Sequence, residues 1–470
     1  MTTYRTPGVY VEEISTLPPS VAEVATAVPA FIGYTERGPN PTAEPVVQRV
    51  ATMLEFETAF GGAQPLAFTV TQPVDGADLP TAAPTVAMVA MVAPARAFSM
   101  YYALAHYFRN GGGPCYVVSL GNYSATPSAD RFASDGLGAL EKEDEPTLIV
   151  LTDAACVLSA ADYYAVCGAA LGQCKKLGDR FTIIDVPQAA GQVDVDVLRG
   201  EKGIAPVNLM YGAAYHPYLQ TSLAYRYLEA GVSIKRQPPA GGAASRADAG
   251  PATTLADIKA SNTGLYNQAR ALLDDQRVVL PPSAAMAGIY ARVDRERGVW
   301  KTPANVGVMA VLGPVAKITD DDQDRLNIDP IAGKSINAIR AFTGKGTLVW
   351  GGRTLAGNDN EWRYVSVRRL FITIEENTRK ASAFAVFEPN DQSTWLKVKA
   401  MIESYLYGLW EQGALAGAKP EAAYYVNVGM GTTMTPQDVL EGRMVVEIGV
   451  AAVRPAEFIV LRFSHKLQTA

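Results

Sequence analysis

Histidine is almost missing from this chain: His106, His216 and His465 are the only three in 470 residues, far apart in sequence. Cysteine is nearly as scarce, with Cys115, Cys156, Cys167 and Cys174. These absences remove chemistry. There is no Cys-x-x-Cys pair and no histidine at ligand spacing, so no metal site is expected. A Ser-His-Asp site has nothing in the pattern to support it. The four cysteines read as reduced thiols of a protein made in a cytosol. Charge is also low, 19% of residues with a net of −6, which lacks the basic excess that phosphate backbones demand and excludes nucleic acid as a partner. The longest apolar run, Val86 to Ala95, contains Pro94 and falls well short of the roughly 20 residues that span a bilayer, so no membrane insertion is expected. The opening Met1-Thr2-Thr3-Tyr4-Arg5 lacks the apolar core of a signal peptide.

What is present is apolar: 48% of the residues are hydrophobic, enough for a large core, and the length allows about two to four domains. Charge is divided unevenly. From Asn327 onward there are 16 Lys and Arg against 14 Asp and Glu, and before it 25 against 33. Several motif fragments fail on context. Gly111-Gly112-Gly113 follows a helix rather than a strand, so it is not a dinucleotide loop. Gly333-Lys334-Ser335 echoes the end of a phosphate loop, but Ile328 stands where that loop needs glycine. Asp320-Asp321-Asp322-Gln323-Asp324 begins like a calcium loop, but Arg325 and Ile331 stand where glycine and glutamate are required, so it reads as a solvated acidic turn or helix start. Ser283 lacks the Gly-x-Ser-x-Gly elbow. No catalytic residue and no cofactor is assigned.

Short apolar runs alternate with longer amphipathic ones through the middle of the chain. Strands are expected at Ala30–Tyr34, Tyr116–Leu120, Thr147–Thr152 and Arg180–Val186, with Met210–Leu219 as the last of them. Helices are expected at Phe98–Arg109, Ala129–Leu140 and Ala160–Leu177. This rhythm predicts a β-α-β layer domain. Two stretches, 63–97 and 220–277, read as surface excursions, the first with possible hairpin strands. After Asn327, helices are expected within Val365–Phe387 and from Trp395 to Leu409, stopped at Gly413, with strands at Arg443–Val453 and Ala456–Ser464.

The two ends are the most telling. Thr6–Ile14 alternates as a strand, with Val9 and Val11 against Tyr10 and Glu12. It is tethered by Leu17-Pro18-Pro19-Ser20, whose prolines stiffen the chain and deny it ladder donors. At the other end Phe458, Ile459, Val460, Leu461, Arg462 and Phe463 form a second strand candidate. Such terminal strands need an edge to pair with. On pattern alone that edge belongs either to another subunit or to the same monomer.

Pro7-Gly8-Val9-Tyr10-Val11-Glu12-Glu13, Phe31-Ile32-Gly33-Tyr34-Thr35-Glu36-Arg37-Gly38 and Phe108-Arg109-Asn110-Gly111-Gly112 with Cys115-Tyr116-Val117-Val118 resemble contractile tail sheath proteins. So do Gly298-Val299-Trp300 with Pro303-Ala304-Asn305, Asn337-Ala338-Ile339-Arg340, Val349-Trp350-Gly351-Gly352-Arg353-Thr354 and Val367-Arg368-Arg369-Leu370-Phe371. These segments cover most of the chain in the family's order. The resemblance implies an α/β, multi-domain subunit: an arm and linker over 1–20, an inserted outer part over 21–326, and a common core with an α+β build over 327–470 that ends in a strand arm over 454–470. It implies exchange of both arms between subunits, with Leu17, Pro18, Pro19 and Ser20 as hinge. The implied product is a helical homopolymer of stacked hexameric discs around an inner tube, contracting to drive that tube through a target envelope. Partners would be copies of itself, sheath paralogues, the inner tube, a baseplate and terminator or cap proteins, with Lys397 and Lys399 as candidate inner-tube contacts. Assembly would be in the bacterial cytoplasm, as part of a virion tail or of a phage-tail-like particle that can be released. The competing readings are a non-contractile tail or capsid-associated protein with exchanged arms, and a hydrolase built on the layered middle.

Overall fold

The computed structural model describes residues 21, 24–40, 43–73, 82–88, 97–189, 192–193, 195–237 and 253–458. The described chain falls into two compact units. One is Ala25–Ile372 with the segment from Arg454 on; the other is Thr373–Val453 with Val24.

The first unit is organised by a nine-stranded sheet. Its spatial order is Val306–Gly307, Gly346–Val349, Ile336–Phe342, Gly212–His216, Phe181–Asp185, Leu148–Val150, Pro29–Gly33, Cys115–Ser119 and Val46–Val50. The six strands from Ile336–Phe342 to Cys115–Ser119 run parallel, and the outer strands are antiparallel to their inner neighbours. Parallel strands buried on both faces should be apolar throughout, and they are: Phe31, Ile32, Val117, Val118, Ile149, Val150, Ile183, Ile184, Ala213 and Ala214 are at most 1% exposed. Helices Ala160–Leu177 and Ser283–Arg297 both pack on Phe181–Asp185. The former is bounded as its sequence predicts: Ser159 accepts from the Asp162 amide at the start, and Gly178 (φ 76°) takes the left-handed cap.

The order corrects one expectation. Met210–Leu219 is not the last strand of the layer. Gly212–His216 lies inside the sheet, and Ile336–Phe342 pairs with it in parallel, Ala214 opposite Ile336. The division expected at Asn327 therefore runs through one sheet, and the compact units divide between Ile372 and Thr373, inside helix Val365–Ala381. The physical reason is that a parallel neighbour can be supplied from any distance along the chain, so the apolar run that begins at Ile336 carries no local mark of its partner.

The two excursions fold together. Leu66–Pro73 pairs antiparallel with Thr85–Met88, as the hairpin expectation had it, and in parallel with Tyr227–Gln237, which pairs with Thr253–Thr254. Leu66, Phe68, Val70 and Gln72 alternate inward. With Val232, Ile234 and residues Leu255, Ile258, Tyr266, Ala269 and Leu273 of helices Leu255–Ser261 and Thr263–Asp274, the apolar members form a separate small core. A three-stranded sheet of Arg277–Leu280, Leu219–Ala224 and Val311–Pro314 follows.

The second unit is lean. Helix Gln392–Glu411 buries Trp395, Val398, Met401, Ile402, Tyr405 and Leu409, the stripe its 3.6-residue spacing predicts. It packs on Tyr424–Val428, which pairs with Val446–Val450 as a two-stranded sheet. The helix expected over Val365–Phe387 ends as an α-helix at Ala381 and continues as a 3-10 turn to Ala385.

Candidate assembly surface

The crevice at which a doubly wound sheet ordinarily holds a ligand is filled in this chain. In sequence order, the strands Pro29–Gly33, Cys115–Ser119, Leu148–Val150, Phe181–Asp185 and Gly212–His216 stand 2-1-3-4-5 across the sheet. Ligands of such sheets sit beyond the carboxyl ends at the switch point, here between Pro29–Gly33 and Leu148–Val150. Asp153 occupies that place. Its carboxylate accepts from the Tyr34 amide at 2.9 Å, the Ser99 amide at 2.6 Å and the Ser99 hydroxyl at 3.0 Å. A Cβ on Gly33 would lie 2.5 Å from it, so only glycine admits the carboxylate. Burial pushes Asp153 up to about 6 despite those donors. One strand over, Asp185 accepts from the Ser283 amide at 2.7 Å and hydroxyl at 2.5 Å, and that hydroxyl also meets Thr152 Oγ1 at 2.6 Å. Burial pushes Asp185 up to about 7. Ser283 is 0% exposed: it ties a helix start to a strand end.

The other motif fragments resolve in the same way. Lys334 is 3% exposed, and its ammonium donates to the carbonyls of Leu198, Arg199 and Ile204. Burial lowers its pKa. It bridges backbone, where a phosphate-loop lysine would face a ligand. The acidic run opens helix Asp320–Asn327, with Thr319 and Asp322 forming a reciprocal capping box. His106 and His216 are buried, and burial lowers both to about 4, leaving them neutral. None of the four cysteines is in a disulfide, and Cys115, Cys167 and Cys174 are buried. Among the described residues, no group of three or more His, Cys, Asp or Glu side chains is placed to hold a metal, and no helix is long and apolar enough to cross a membrane.

What the structure does build with care is the root of each terminal segment. At the N-terminal root, Thr26 donates its hydroxyl to Asp294 at 2.6 Å, and its carbonyl accepts from Arg369 at 2.8 Å. Arg369 also grips Asp294 at 3.0 and 2.5 Å, with side chains 3% and 6% exposed, and lies over the Tyr290 ring at 4.7 Å. Burial works against the Arg369 charge, and Asp294 more than offsets it, so its pKa is raised. Two residues earlier, the Val24 amide donates to Asn377 at 2.8 Å, whose own amide donates to Tyr405 at 2.7 Å. At the C-terminal root, Glu457 accepts from Arg353 at 2.9 and 2.6 Å, Asn327 at 2.9 Å and Tyr364 at 3.2 Å. Burial pulls the Glu457 carboxyl up, but the bonds from Arg353 and Asn327 outweigh it and hold it below the ordinary glutamate range. Arg353 is set by Asn337, which accepts its amide at 2.8 Å and donates to its carbonyl at 2.8 Å. A Cβ on Gly351 would meet Asn337 Oδ1 at 2.8 Å, which is why glycine precedes this turn.

The expected arm residues themselves divide differently. Val9, Tyr10, Val11, Glu12 and the hinge Leu17, Pro18, Pro19, Ser20 lie outside the described residues, as do Ile459, Val460, Leu461, Arg462 and Phe463. Of the C-terminal candidates only Phe458 is described; it is 69% exposed and, with Ala456 and Glu457, belongs to no strand. Lys397 is exposed on helix Gln392–Glu411, and Lys399 on the same helix sits 3.7 Å from Glu403.

Sequence reasoning missed two features of the second unit. Its two-stranded sheet gains a further pairing only where Ala414–Ala416 meets Ala451–Val453, through Ala416 N to Ala451 O at 2.7 Å. The remaining edges carry no strand partner among the described residues, and a hairpin of two strands is marginal without further partners. Beside it, the turn after Ala385 displays Val386, 62% exposed, and Phe387, fully exposed. Phe387 has φ +69°, a left-handed conformation that costs a non-glycine residue roughly 1–2 kcal/mol.

The layered body carries clamped terminal segments and, in its second unit, strand edges that have no strand partner among the described residues. Comparison with known proteins gives its family. The chain is 30% identical to a chain of the contracted PVC sheath complex of an extracellular contractile injection system, over 99% of each chain, with a TM-score of 0.64. It is 30% identical to a chain of the contracted helical sheath of the anti-feeding prophage, over 99% of this chain and 100% of that one, with a TM-score of 0.63. Residues 357–466 match the phage tail sheath C-terminal domain. The tail sheath protein of Vibrio phage KVP40 is 26% identical over 191 residues, 40% of this chain and 27% of the phage protein. The chain thus spans under a third of that relative's length. The chain belongs to the contractile tail sheath protein family.

Proposed function

We propose that this chain is the repeating subunit of a contractile sheath, polymerising with copies of itself as stacked hexameric discs around an inner tube. The observation that carries this is likeness over 99% of the chain to chains taken from sheaths in the contracted state. In this reading the strand Pro7–Ile14 of one subunit and the segment beyond Phe458 of another complete the open edges of a neighbour's Tyr424–Val428/Val446–Val450 sheet, satisfying backbone donors and acceptors on both sides. The clamps at Thr26 and Glu457 fix the roots, and Leu17–Ser20 flexes between the root and the exchanged strand. Subunits stay linked while the contacts between their bodies are exchanged for the shorter, wider arrangement. The free energy released by that repacking drives the tube through a target envelope, without catalysis or nucleotide. Baseplate and terminator proteins bound the polymer, and sheath paralogues can share it. Assembly takes place in the bacterial cytoplasm, and Lys397 and Lys399 face the inner tube.

Electron microscopy of the purified full chain tests the reading. Long hollow helical tubes are expected. Closed shells, isolated short rings or a chain that stays monomeric at high concentration would overturn it.

A further inference from the structure

Two features of the surface are left over by strand exchange. The first is the turn at Phe387. Its ring is fully exposed and its backbone is strained, yet the turn is held firmly. Val386 N donates to Ala383 O at 3.2 Å, Glu388 N to Ala385 O at 3.2 Å and Asp391 N to Pro389 O at 2.9 Å. Asn390 accepts from the Trp395 indole at 2.7 Å and donates to the Arg443 carbonyl at 3.1 Å. A strained conformation that surrounding bonds hold in place marks a presented side chain. Glu388, next in line, is exposed and has no ion pair among the described residues.

The second is a cavity of about 480 Å³ in the Ala25–Ile372 unit. Ala316, Ile318, Leu326 and Ile328 give it apolar walls, and Lys317 and Arg325 stand on its border. Both cations are exposed and neither has an ion pair among the described residues. The carboxylates that also border it are engaged: Asp322 accepts from Thr319 N and Oγ1 at 3.0 and 2.6 Å and faces Arg325, and Asp196 lies beside Arg199, which leaves Lys317 as the cation without a carboxylate of its own. His216 contributes a buried, neutral ring. The cavity therefore selects an apolar group next to a carboxylate.

We propose that Phe387 and Glu388 of one copy of this chain dock in that cavity of a second copy, the ring against Ile318 and Leu326 and the carboxylate beside Lys317 and Arg325. Knob and cavity are different surfaces of the same chain. Their contact is heterologous, the kind that propagates a helical polymer instead of closing a pair. Three observations select a second copy as occupant: Glu388 meets Lys317, neither ion-paired among the described residues, with Arg325 beside it; the apolar group meets apolar walls; and a relative's chain is taken from a helical sheath. The proposal rests on the sheath reading above.

The test uses the full chain in the tube-forming assay. Phe387→Ala is expected to cut tube yield at least tenfold. Phe387→Gly should do the same without lowering Tm, because glycine relieves the left-handed strain. Glu388→Lys alone and Lys317→Glu with Arg325→Glu should each impair tubes, and their combination should restore them. With Phe387→Cys and Ile318→Cys in one chain, a short bismaleimide applied to tubes should give a ladder of covalent multimers that neither single variant gives. Normal tubes from Phe387→Gly overturn the docking and leave the sheath reading standing, as does a failure of the charge swap to restore. Tubes of the double-cysteine variant that give no ladder with the bismaleimide also overturn it. Wild-type chain that forms no tubes removes the sheath reading and this contact with it.

Discussion

The sheet-centred unit and the Thr373–Val453 unit solve the burial problem in opposite ways. The first is built on strands such as Leu148–Val150 and Phe181–Asp185 that are buried along their whole length, and even the ligand crevice is filled by Asp153; its exposed apolar side chains, Leu54, Leu312 and Ile331 among them, are spread over a unit several times larger. The second has one well-packed helix against a two-stranded sheet and leaves Val386, Phe387, Leu396, Tyr425, Met430 and Leu440 at least half exposed. A small unit that leaves this much exposed, with strand edges unpaired among the described residues, offers surface to which other chains can be added. In the proposed sheath that surface is where the exchanged strands dock.

The largest effect expected from breaking this contrast is all-or-none. Removing Met1 to Ser20 should abolish tubes while the body keeps its circular dichroism and its Tm within a few degrees. Normal tubes from the truncated chain would show that the second unit does not depend on a donated strand. Next comes the N-terminal root. Asp294→Ala removes the carboxylate that faces the buried Arg369 guanidinium, and breaking such a pair typically costs about 3–5 kcal/mol. Urea unfolding should show that loss, whereas a purely local role would show as fraying at Thr26 alone.

Asp185 gives a pH test of the first unit. Its folded pKa of about 7 lies above the unfolded value near 3.8, so the folded state holds the proton more tightly. Stability then falls as pH rises between those values and levels off above the upper one. Asp185→Asn should keep the Ser283 contacts, with the Ser283 proton turned toward Thr152. It should also flatten the pH profile and gain up to on the order of 4 kcal/mol at pH 8. Asp153, pushed up to about 6, adds to the same trend. The smallest expected effect is at the C-terminal root. Glu457→Gln should cost about 1–2 kcal/mol of local stability at neutral pH, read as faster hydrogen exchange over 454–458. The Glu457 carboxyl is held low, so the wild-type clamp is present above the unfolded glutamate pKa and is lost as pH falls through the folded one. The variant should not share that loss.

The first unit was largely legible in the sequence because its signals are local. Apolar runs bounded by helices give Pro29–Gly33, Leu148–Val150 and Phe181–Asp185 to within a residue or two, and Ala160–Leu177 is bounded by Ser159 and Gly178. Pairing between distant segments was not legible. Nothing near Leu66 announces Tyr227–Gln237, and nothing near Ile336 announces Gly212–His216, because strand partners are chosen by space and not by spacing. The root clamps were hidden for the same reason. Arg353, Arg369, Asp294 and Glu457 are unremarkable charges until the fold brings them together, although Arg353 and Arg369 lie in segments that carried the family resemblance. The terminal arms were the reverse case, conspicuous in sequence but beyond the described residues except at Phe458.

The sheet shared by Leu66–Pro73 and Tyr227–Gln237 has a consequence for how such a chain can be remodelled. Two stretches far apart in sequence meet in one sheet, the first supplying Leu66, Phe68 and Val70 and the second the seven other buried residues of a common apolar core. Trimming either alone would strand the other's inward residues in water, whereas exchanging both together replaces a self-contained module. Inheritance should therefore treat them as linked, gained or lost as a pair. A designer seeking a place to attach cargo should work in the turns of that module and leave its paired strands intact.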